Sequence, residues 1–242
     1  LTSIVALIPA RANSKRLPGK NTKKLDGHPL IAYTIVSAVR SGIFDRVLVC
    51  TDSKPIVQLA HEYKVESFLR MASLDDEADI EWLKPLVTVE LDPPYDAFAI
   101  LRPTSPFRTA ESIRWAWQLF SMAGDFDSLR AVTPAREHPG KMWTMHRSGH
   151  LDTLVPLMLQ PAGTPWHSRP TQTLPQVYSQ TAGLEIAWTN TVRRTDTISG
   201  TRVLSLELTW PESLDINSEH DWWIAERAIH DGRASLPEIP SA

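Results

Sequence analysis

"IPARANSKRLPGKN", residues 8–21, follows directly on SIVAL, the apolar run at 3–7. A chain leaving a buried strand here enters a loop holding Arg11, Lys15, Arg16 and Lys20, and it meets no acid until Asp26. A solvated surface loop has no need of so one-signed a cluster, whereas a polyanion held beside a strand end does. The loop is neither GxxxxGK[ST] nor GxGxxG, since Gly19 is its single glycine. It offers backbone N–H groups in a turn. It also offers guanidinium groups suited to paired hydrogen bonds on a phosphate and ammonium groups that act as point charges.

Outward from this loop, strand and helix signals alternate. Residues 3–10 form a short apolar strand closed by Pro9. Residues 29–42 are helical, with Leu30, Tyr33, Thr34 and Ser37 at helical spacing and Gly42 as C-cap. RVLVCTD (46–52) is a strand, and Asp52 or Ser53 caps the helix PIVQLAHEYK. ESFLR (66–70) is a third strand, and residues 77–91 are helical, with Pro85 kinking or ending that helix. AFAILRP (97–103) is a buried strand, TAESIRWAWQLFSMAG a helix started by Thr109 or Ser112, and SLRAVTPA (128–135) a fifth strand. This pattern predicts an α/β fold with a mostly parallel sheet and helices on both faces. Ligands of such sheets lie beyond the carboxyl ends of the strands. That places loop 11–21, Thr51–Asp52, Arg70 and the segment Arg102 to Arg108 along one edge.

From about 138 to 181 the periodicity fades and six prolines appear. This stretch reads as an excursion, a dimerisation arm within a single domain spanning 1–242. The chain returns with AGLEIAWTN and TRVLSLEL and ends in the helix EHDWWIAERAIHDG, where Ser218 and Asp221 resemble a capping box.

The bulk numbers narrow the class. With 242 residues, 42% hydrophobic and 22% charged, the chain can bury a sizeable core. A net charge of −3 argues against general nucleic-acid affinity, so the basic loop is a local feature. The single cysteine, Cys50, makes no internal disulfide and fits a reducing cytoplasm. No apolar run approaches the roughly 18 residues of a membrane span, and the opening residues lack a signal peptide's basic flank and long apolar stretch. The eight histidines show no zinc-site spacing. The nine tryptophans read as core and subunit contact.

The order of the motifs carries a resemblance. IPAR-x-x-SK-x-x-PGKN, PLIAYTI, FDRVLVCTD, FLR, LRPTSPFRT, HPGKM, LPQVY and SLDINSEHDW together resemble the acylneuraminate cytidylyltransferase family, the CMP-sialic acid synthetases. The likeness runs from residue 4 to about 225. It implies CMP transfer from CTP to a small acidic acceptor, most readily a 2-keto acid sugar. It also implies a Rossmann-like nucleotidyltransferase fold, release of pyrophosphate, use of Mg²⁺ and a homodimer. Carried over by position, Arg11 and Lys20 hold the triphosphate, with Lys15 as a further phosphate contact. Asn21 touches the nucleotide, and Arg70 lies near the cytosine. Asp215 and Asn217, at i and i+2 of an extended segment, point to one side and bind the divalent ion. The family usually has two aspartates there, and an amide oxygen ligates without bringing charge.

Three departures fall on the acceptor side. Asn13 stands where glycine is usual. Arg102 stands where many sialic acid synthetases have Gln, which favours an anionic group on the acceptor. RPTQTLPQVYSQTAGLEIAW has Thr171 in place of the usual Arg, with Arg169 two residues away, and Thr181, Ala182 and Glu185 replace Asn, Gly and Tyr. Lys141, Gln172 and Tyr178 persist. The acceptor set is therefore Arg102, Lys141, Arg169, Gln172 and Tyr178, and the catalytic set Arg11, Lys20 and Asp215. The acceptor is expected to differ from N-acetylneuraminate. A non-sugar acid such as a phosphonate, and a nucleotide-binding module without turnover, are the alternative readings, kept open by Arg102 and Asn217 respectively.

Overall fold

Side-chain alternation along β1 (Ile4–Pro9) organises the molecule. Ile4, Ala6 and Ile8 join one apolar cluster, while Val5 and Leu7 join another on the opposite face, the period-two signature of a strand buried on both sides. The computed structural model describes residues 2–12, 14, 16–69, 78–92, 94–149, 151–158 and 163–240. Lys15 and Arg70, expected at the nucleotide, and Asn13 lie outside the described residues.

After β1 come β2 (Lys24–Leu25), β3 (His28–Pro29), α1 (Leu30–Ser41), β4 (Arg46–Thr51), α2 (Lys54–Glu62) and β5 (Glu66–Leu69). Then follow α3 (Asp79–Pro85), β6 (Ala97–Ile100), α4 (Ala110–Met122) and β7 (Ser128–Pro134). The helix predicted over 77–91 divides at Pro85 and continues as a π-helical turn, Leu86–Glu90, because proline brings no N–H to the ladder. Gly42 caps α1 in the left-handed conformation, and Thr109 Oγ1 accepts the Ser112 N–H at the start of α4, as their sequences predict.

The chain closes with β8 (Trp143–Arg147), β9 (Asp152–Pro156), β10 (Tyr178–Trp188), α5 (Thr189–Thr195), β11 (Val203–Glu207) and α6 (Glu219–His230). Seven strands form the sheet in the order β11-β7-β10-β6-β1-β4-β5. β1 pairs in parallel with both β4 and β6, β4 with β5, and β7 with β11, while β10 runs antiparallel to β6. The chain winds from β1 outward to β5 and then returns to the other side of β1. The carboxyl ends of β1 and β6 therefore flank a topological switch point, where α/β sheets open a crevice.

Residues 1–132 and 180–242 make one compact unit, and residues 133–179 a second. The second contains the antiparallel pair β8–β9, whose side chains stand mostly exposed. In it His138 is buried, accepting the Gly140 N–H on Nδ1, with its Nε2 3.1 Å from the Pro175 carbonyl. Among the described residues no helix is long and apolar enough to cross a membrane.

At the amino end of β7, Asp127 ties down the turn before β11. Its Oδ2 accepts the N–H groups of Thr201 and Arg202 at 2.8 and 3.0 Å, and Arg194 pairs with its Oδ1. These donors hold its carboxyl down to about 2. Gly200 passes so close that an added Cβ would lie 2.4 Å from the Asp127 Cβ, in a backbone with φ of +65°.

Candidate active site

Loop 10–23 leaves β1 at the switch point and is anchored rather than free. Ala10 donates its N–H to the Cys50 carbonyl, and the Ala12 N–H reaches Asp52 Oδ1 at 2.7 Å. Asp52 thus pins the basic loop, while Ser53 takes the N-cap position of α2. Leu17 drops into an apolar cluster with Leu25, Leu30, Phe107, Ile216 and Trp222. That cluster gathers the basic loop, the PTSPF segment, the 215–217 segment and α6. Its formation carries Lys20 to Asp215.

Lys20 Nζ donates to the Ile216 carbonyl at 3.1 Å and to Asn217 Oδ1 at 3.4 Å. Ile216 is fully buried, and its N–H meets the Thr104 carbonyl at 2.8 Å. With Ile216 turned inward, its neighbours Asp215 and Asn217 turn the other way, as their spacing predicts. Burial is the largest influence on Lys20 and lowers its pKa below the ordinary lysine value; Asp215 pulls upward, and Arg16 adds to the lowering.

Asn217 Nδ2 donates to Asp215 Oδ2, while Asp215 Oδ1 is buried with no hydrogen-bond partner. Such an orphaned carboxylate oxygen fits a cation ligand. The Asn217 amide oxygen is the second donor. Mg²⁺ is commonly held by one or two side-chain oxygens together with substrate phosphates and water, so this pair suits it. No cluster of three or more His, Cys, Asp or Glu side chains placed to hold a metal occurs among the described residues. Asp221 spends Oδ2 on the N–H groups of Asn217 and Ser218 and on the Ser218 hydroxyl, completing the predicted capping box.

Asn21 is buried, and its side-chain amide donates to the Arg11 carbonyl at 3.1 Å. It holds the loop's shape. The first two N–H groups of α1 are also spent inside the protein, since Leu30 and Ile31 donate to the carbonyls of Lys23 and Asn21.

A family model described as cytidylyltransferase matches residues 5–115. The CMP-N,N'-diacetyllegionaminic acid synthase of Legionella pneumophila is 32% identical over 241 residues, covering 96% of this chain and 99% of that protein. The chain belongs to the acylneuraminate cytidylyltransferase family. The N-acylneuraminate cytidylyltransferase of Escherichia coli is 38% identical over 134 residues, 54% of this chain, which correspond to 32% of that longer protein. A solved CMP:2-keto-3-deoxy-manno-octonic acid synthetase complexed with CTP superposes with a TM-score of 0.67, covering 96% of this chain and all of that one at 13% identity. That likeness establishes the nucleotidyltransferase fold.

In this cytidylyltransferase, two of the edge arginines depart from expectation. Arg108 does not line the crevice. It is 1% exposed, and it donates to the Gly183 carbonyl and, at 2.9 Å, to Thr34 Oγ1. Burial pushes it down to about 9. It braces β10 against α1, since a buried guanidinium must find carbonyl and hydroxyl partners. Arg102, expected to offer its charge to an acceptor, already has two internal carboxylates: Nη1 pairs with Glu185 and Nη2 with Asp79. Burial opposes its charge, but these two acids outweigh it and hold its pKa above the ordinary arginine value.

Glu185, 3% exposed, takes Arg102 on one oxygen and Arg130 on the other. Asp79 also accepts the Trp82 indole N–H at 3.0 Å. Burial works to raise the Asp79 carboxyl, yet Arg102, Trp82 and the field of Arg11 together leave it below the ordinary value. An ion chain Arg130–Glu185–Arg102–Asp79 thus lies along one face of the sheet. Arg130 and Asp79 are absent from the sites expected above. The signal was present: Glu185 and Arg130 interrupt the apolar runs LEIAW and LRAV, and a charge inside a buried strand needs a partner of opposite sign.

The remaining acceptor candidates belong to the second unit. Lys141 Nζ donates to the carbonyls of His167, at 3.0 Å, and Arg169. Arg169 donates to the Thr173 carbonyl at 3.2 Å. Gln172 sits exposed in a 3-10 turn, Thr171–Thr173, and Tyr178 opens β10 with its ring half-exposed.

Proposed function

We propose that this chain transfers CMP from CTP to a nonulosonic acid, a 2-keto acid sugar, releasing pyrophosphate with the help of a divalent cation. The observation that carries this reading is the meeting of Lys20 with the Asp215–Asn217 edge at the carboxyl end of β1. A strand-end ammonium beside an orphaned carboxylate oxygen is the arrangement that CTP with a divalent ion needs. The relatives' names, which specify diacetyllegionaminic and N-acylneuraminic acids, support the acceptor class.

The chemistry is in-line attack of an acceptor oxygen on the α-phosphorus of CTP, which depends mainly on positioning and charge stabilisation. Lys20 faces the α-phosphate, where negative charge builds. Arg11, on the same loop, holds the departing pyrophosphate. Asp215 Oδ1 and the Asn217 amide oxygen would hold the cation, which would supply positive charge against the phosphates. Lys15 and Arg70 are assigned to phosphate and cytosine by resemblance. Lys141, Arg169, Gln172 and Tyr178 are assigned to the acceptor on the same ground, with the carbonyl contacts of Lys141 and Arg169 shaping that loop.

We assign dimerisation to the second unit. Met145, Trp143, Leu154 and Val155 stand exposed on a two-stranded ribbon, and such a ribbon is marginal in water without further cover. Work in a reducing cytoplasm fits a chain whose one cysteine, Cys50, is buried.

The test is isothermal calorimetry with CTP and Mg²⁺, followed by pyrophosphate release with N-acetylneuraminate, N,N'-diacetyllegionaminate, pseudaminate and 2-keto-3-deoxy-manno-octonate. Binding of CTP and release with at least one sugar are expected. Absence of CTP binding would end this reading.

A further inference from the structure

The four members of the ion chain are not equally open to solvent. Glu185 pairs in register with Ile100, the last residue of β6, and Arg102 follows two residues beyond that strand end. The chain therefore lies at the carboxyl end of β6, on the crevice. The side chains of Glu185, Arg130, Arg102 and Asp79 are 3, 17, 24 and 35% exposed. The most accessible member is an acid, and it stands on a guanidinium that would otherwise be open to the crevice.

The charges also balance. Arg102 and Arg130 bring two positive charges, and Glu185 and Asp79 bring two negative ones. Arg108, which donates to the Arg102 carbonyl at 3.4 Å, has Glu212 as its own counter-charge. An acid group approaching Arg102 thus meets the Asp79 carboxylate and no net positive charge, and like charges brought together in a partly desolvated site repel strongly. A neutral hydroxyl or amide N–H meets no such barrier. Asp79 Oδ1 takes the Trp82 indole N–H at 3.0 Å and Oδ2 takes Arg102, yet a carboxylate has about four lone-pair sites, so acceptor capacity remains. The field of Arg11 reaches Asp79 as well, so this acid stands within range of the basic loop.

We propose that Asp79 is a specificity residue of the acceptor site. It covers Arg102 against acid groups and accepts a hydroxyl or N–H of the acceptor. This wall of the crevice therefore reads the neutral, hydroxylated part of the sugar and not its carboxylate, and Arg102 gives up the role that its charge suggested. The inference rests on the cytidylyl-transfer reading and deepens it. The acceptor class it selects is a polyhydroxylated acid, while a compact phosphonate is turned away by an unrelieved like charge.

The test uses the full chain with Mg²⁺ at saturating CTP, because Arg11 lies in range of the same acid. A keto-acid sugar that the chain turns over is the varied acceptor, and methylphosphonate, an anion without hydroxyl groups, is the inhibitor. Wild type is compared with Asp79→Asn and with the double variant Asp79→Asn/Arg102→Gln. In Asp79→Asn the inhibition constant of methylphosphonate against the sugar is expected to fall at least about tenfold, the size of one charge-assisted hydrogen bond, while the KM for the sugar rises. In the double variant the inhibition constant returns to near the wild-type value, since the uncovered guanidinium is gone, and the KM for the sugar stays raised. Asp79→Ser takes the place of Asp79→Asn if the latter does not fold. An inhibition constant unchanged or raised in a folded Asp79 variant overturns this inference and leaves cytidylyl transfer standing. So does a fall that survives the loss of Arg102, or inhibition that competes with CTP alone. No turnover with any keto-acid sugar overturns both.

Discussion

Arg102 and Glu185, 83 residues apart in the chain, form an ion pair at the carboxyl end of β6. Each had stood as a separate departure from the family pattern, one guanidinium in place of an amide and one carboxylate in place of a phenol. In the folded chain they are a single change, because each supplies the charge that makes the other tolerable in a buried site. Removing one partner of such a pair commonly costs about 3–5 kcal/mol, since the other is left uncompensated. Glu185→Ala, which strands two guanidiniums, is expected to lower the thermal midpoint strongly. Arg102→Gln, which leaves Glu185 with Arg130, lowers it less, and differential scanning fluorimetry of both variants checks that order.

Lys20→Ala and Asp215→Ala are each expected to lower kcat by at least about 100-fold, the loss typical of one preorganised charge-stabilising group. Pyrophosphate release at saturating CTP measures this. Near-normal turnover in either variant removes that residue from its assigned role.

Asn217→Asp restores a second carboxylate beside Asp215. The added unit charge next to a cation is worth on the order of 1 kcal/mol even in water, so the Mg²⁺ concentration for half-maximal rate is expected to fall roughly fivefold. Without Mg²⁺ the variant loses the Asn217 amide bond to Asp215 and gains like-charge repulsion, so its thermal midpoint falls. A Mg²⁺ titration followed by both rate and melting curve tests the pair of outcomes.

Asp127 sets an acid limit on the large unit. Its folded carboxyl titrates at about 2, below the unfolded value of 3.8, so the folded state binds fewer protons between those pH values. Its contribution is fully present above about 4 and is lost as pH falls toward 2. Asp127→Asn is expected to be less stable at neutral pH and to show a shallower loss of stability between pH 4 and 2. Gly200→Ala, which drives a methyl group into the same carboxylate at positive φ, is expected to destabilise without altering that slope. Thermal melts across pH report both.

The exposed apolar side chains of β8 and β9 yield a prediction about assembly. Leu154→Glu with Met145→Glu is expected to shift sedimentation from dimer to monomer, because a charge placed in an apolar contact must be desolvated. A wild-type chain that sediments as a monomer at tens of micromolar removes the dimer assignment.

Much of this was legible before folding. Alternation along Ile4–Ile8 and the helical spacing from Leu30 mark their elements, because burial of one face or one stripe leaves a local periodic trace. The one-signed loop at 11–21 marks its strand end, and Ser218 with Asp221 marks the start of α6 by a bond only three residues long. Other features left no local trace. The sequence placed Asp52 as a candidate helix cap on the ligand edge, while the folded chain spends it on the Ala12 N–H. Arg108 reads as an edge cation yet lies sealed beneath the sheet, and the short helix α5 and the antiparallel direction of β10 carry no periodic cue.

The sequence by itself determined the alternating elements, the basic turn and the residues Lys20, Asp215 and Asn217, since each depends on neighbours within a few positions. Only the tertiary structure decided which distant charges answer one another. Partners 83 residues apart meet because the sheet order sets β10 against β6, and the energy of a buried ion depends on that meeting and not on the residues beside it in the chain.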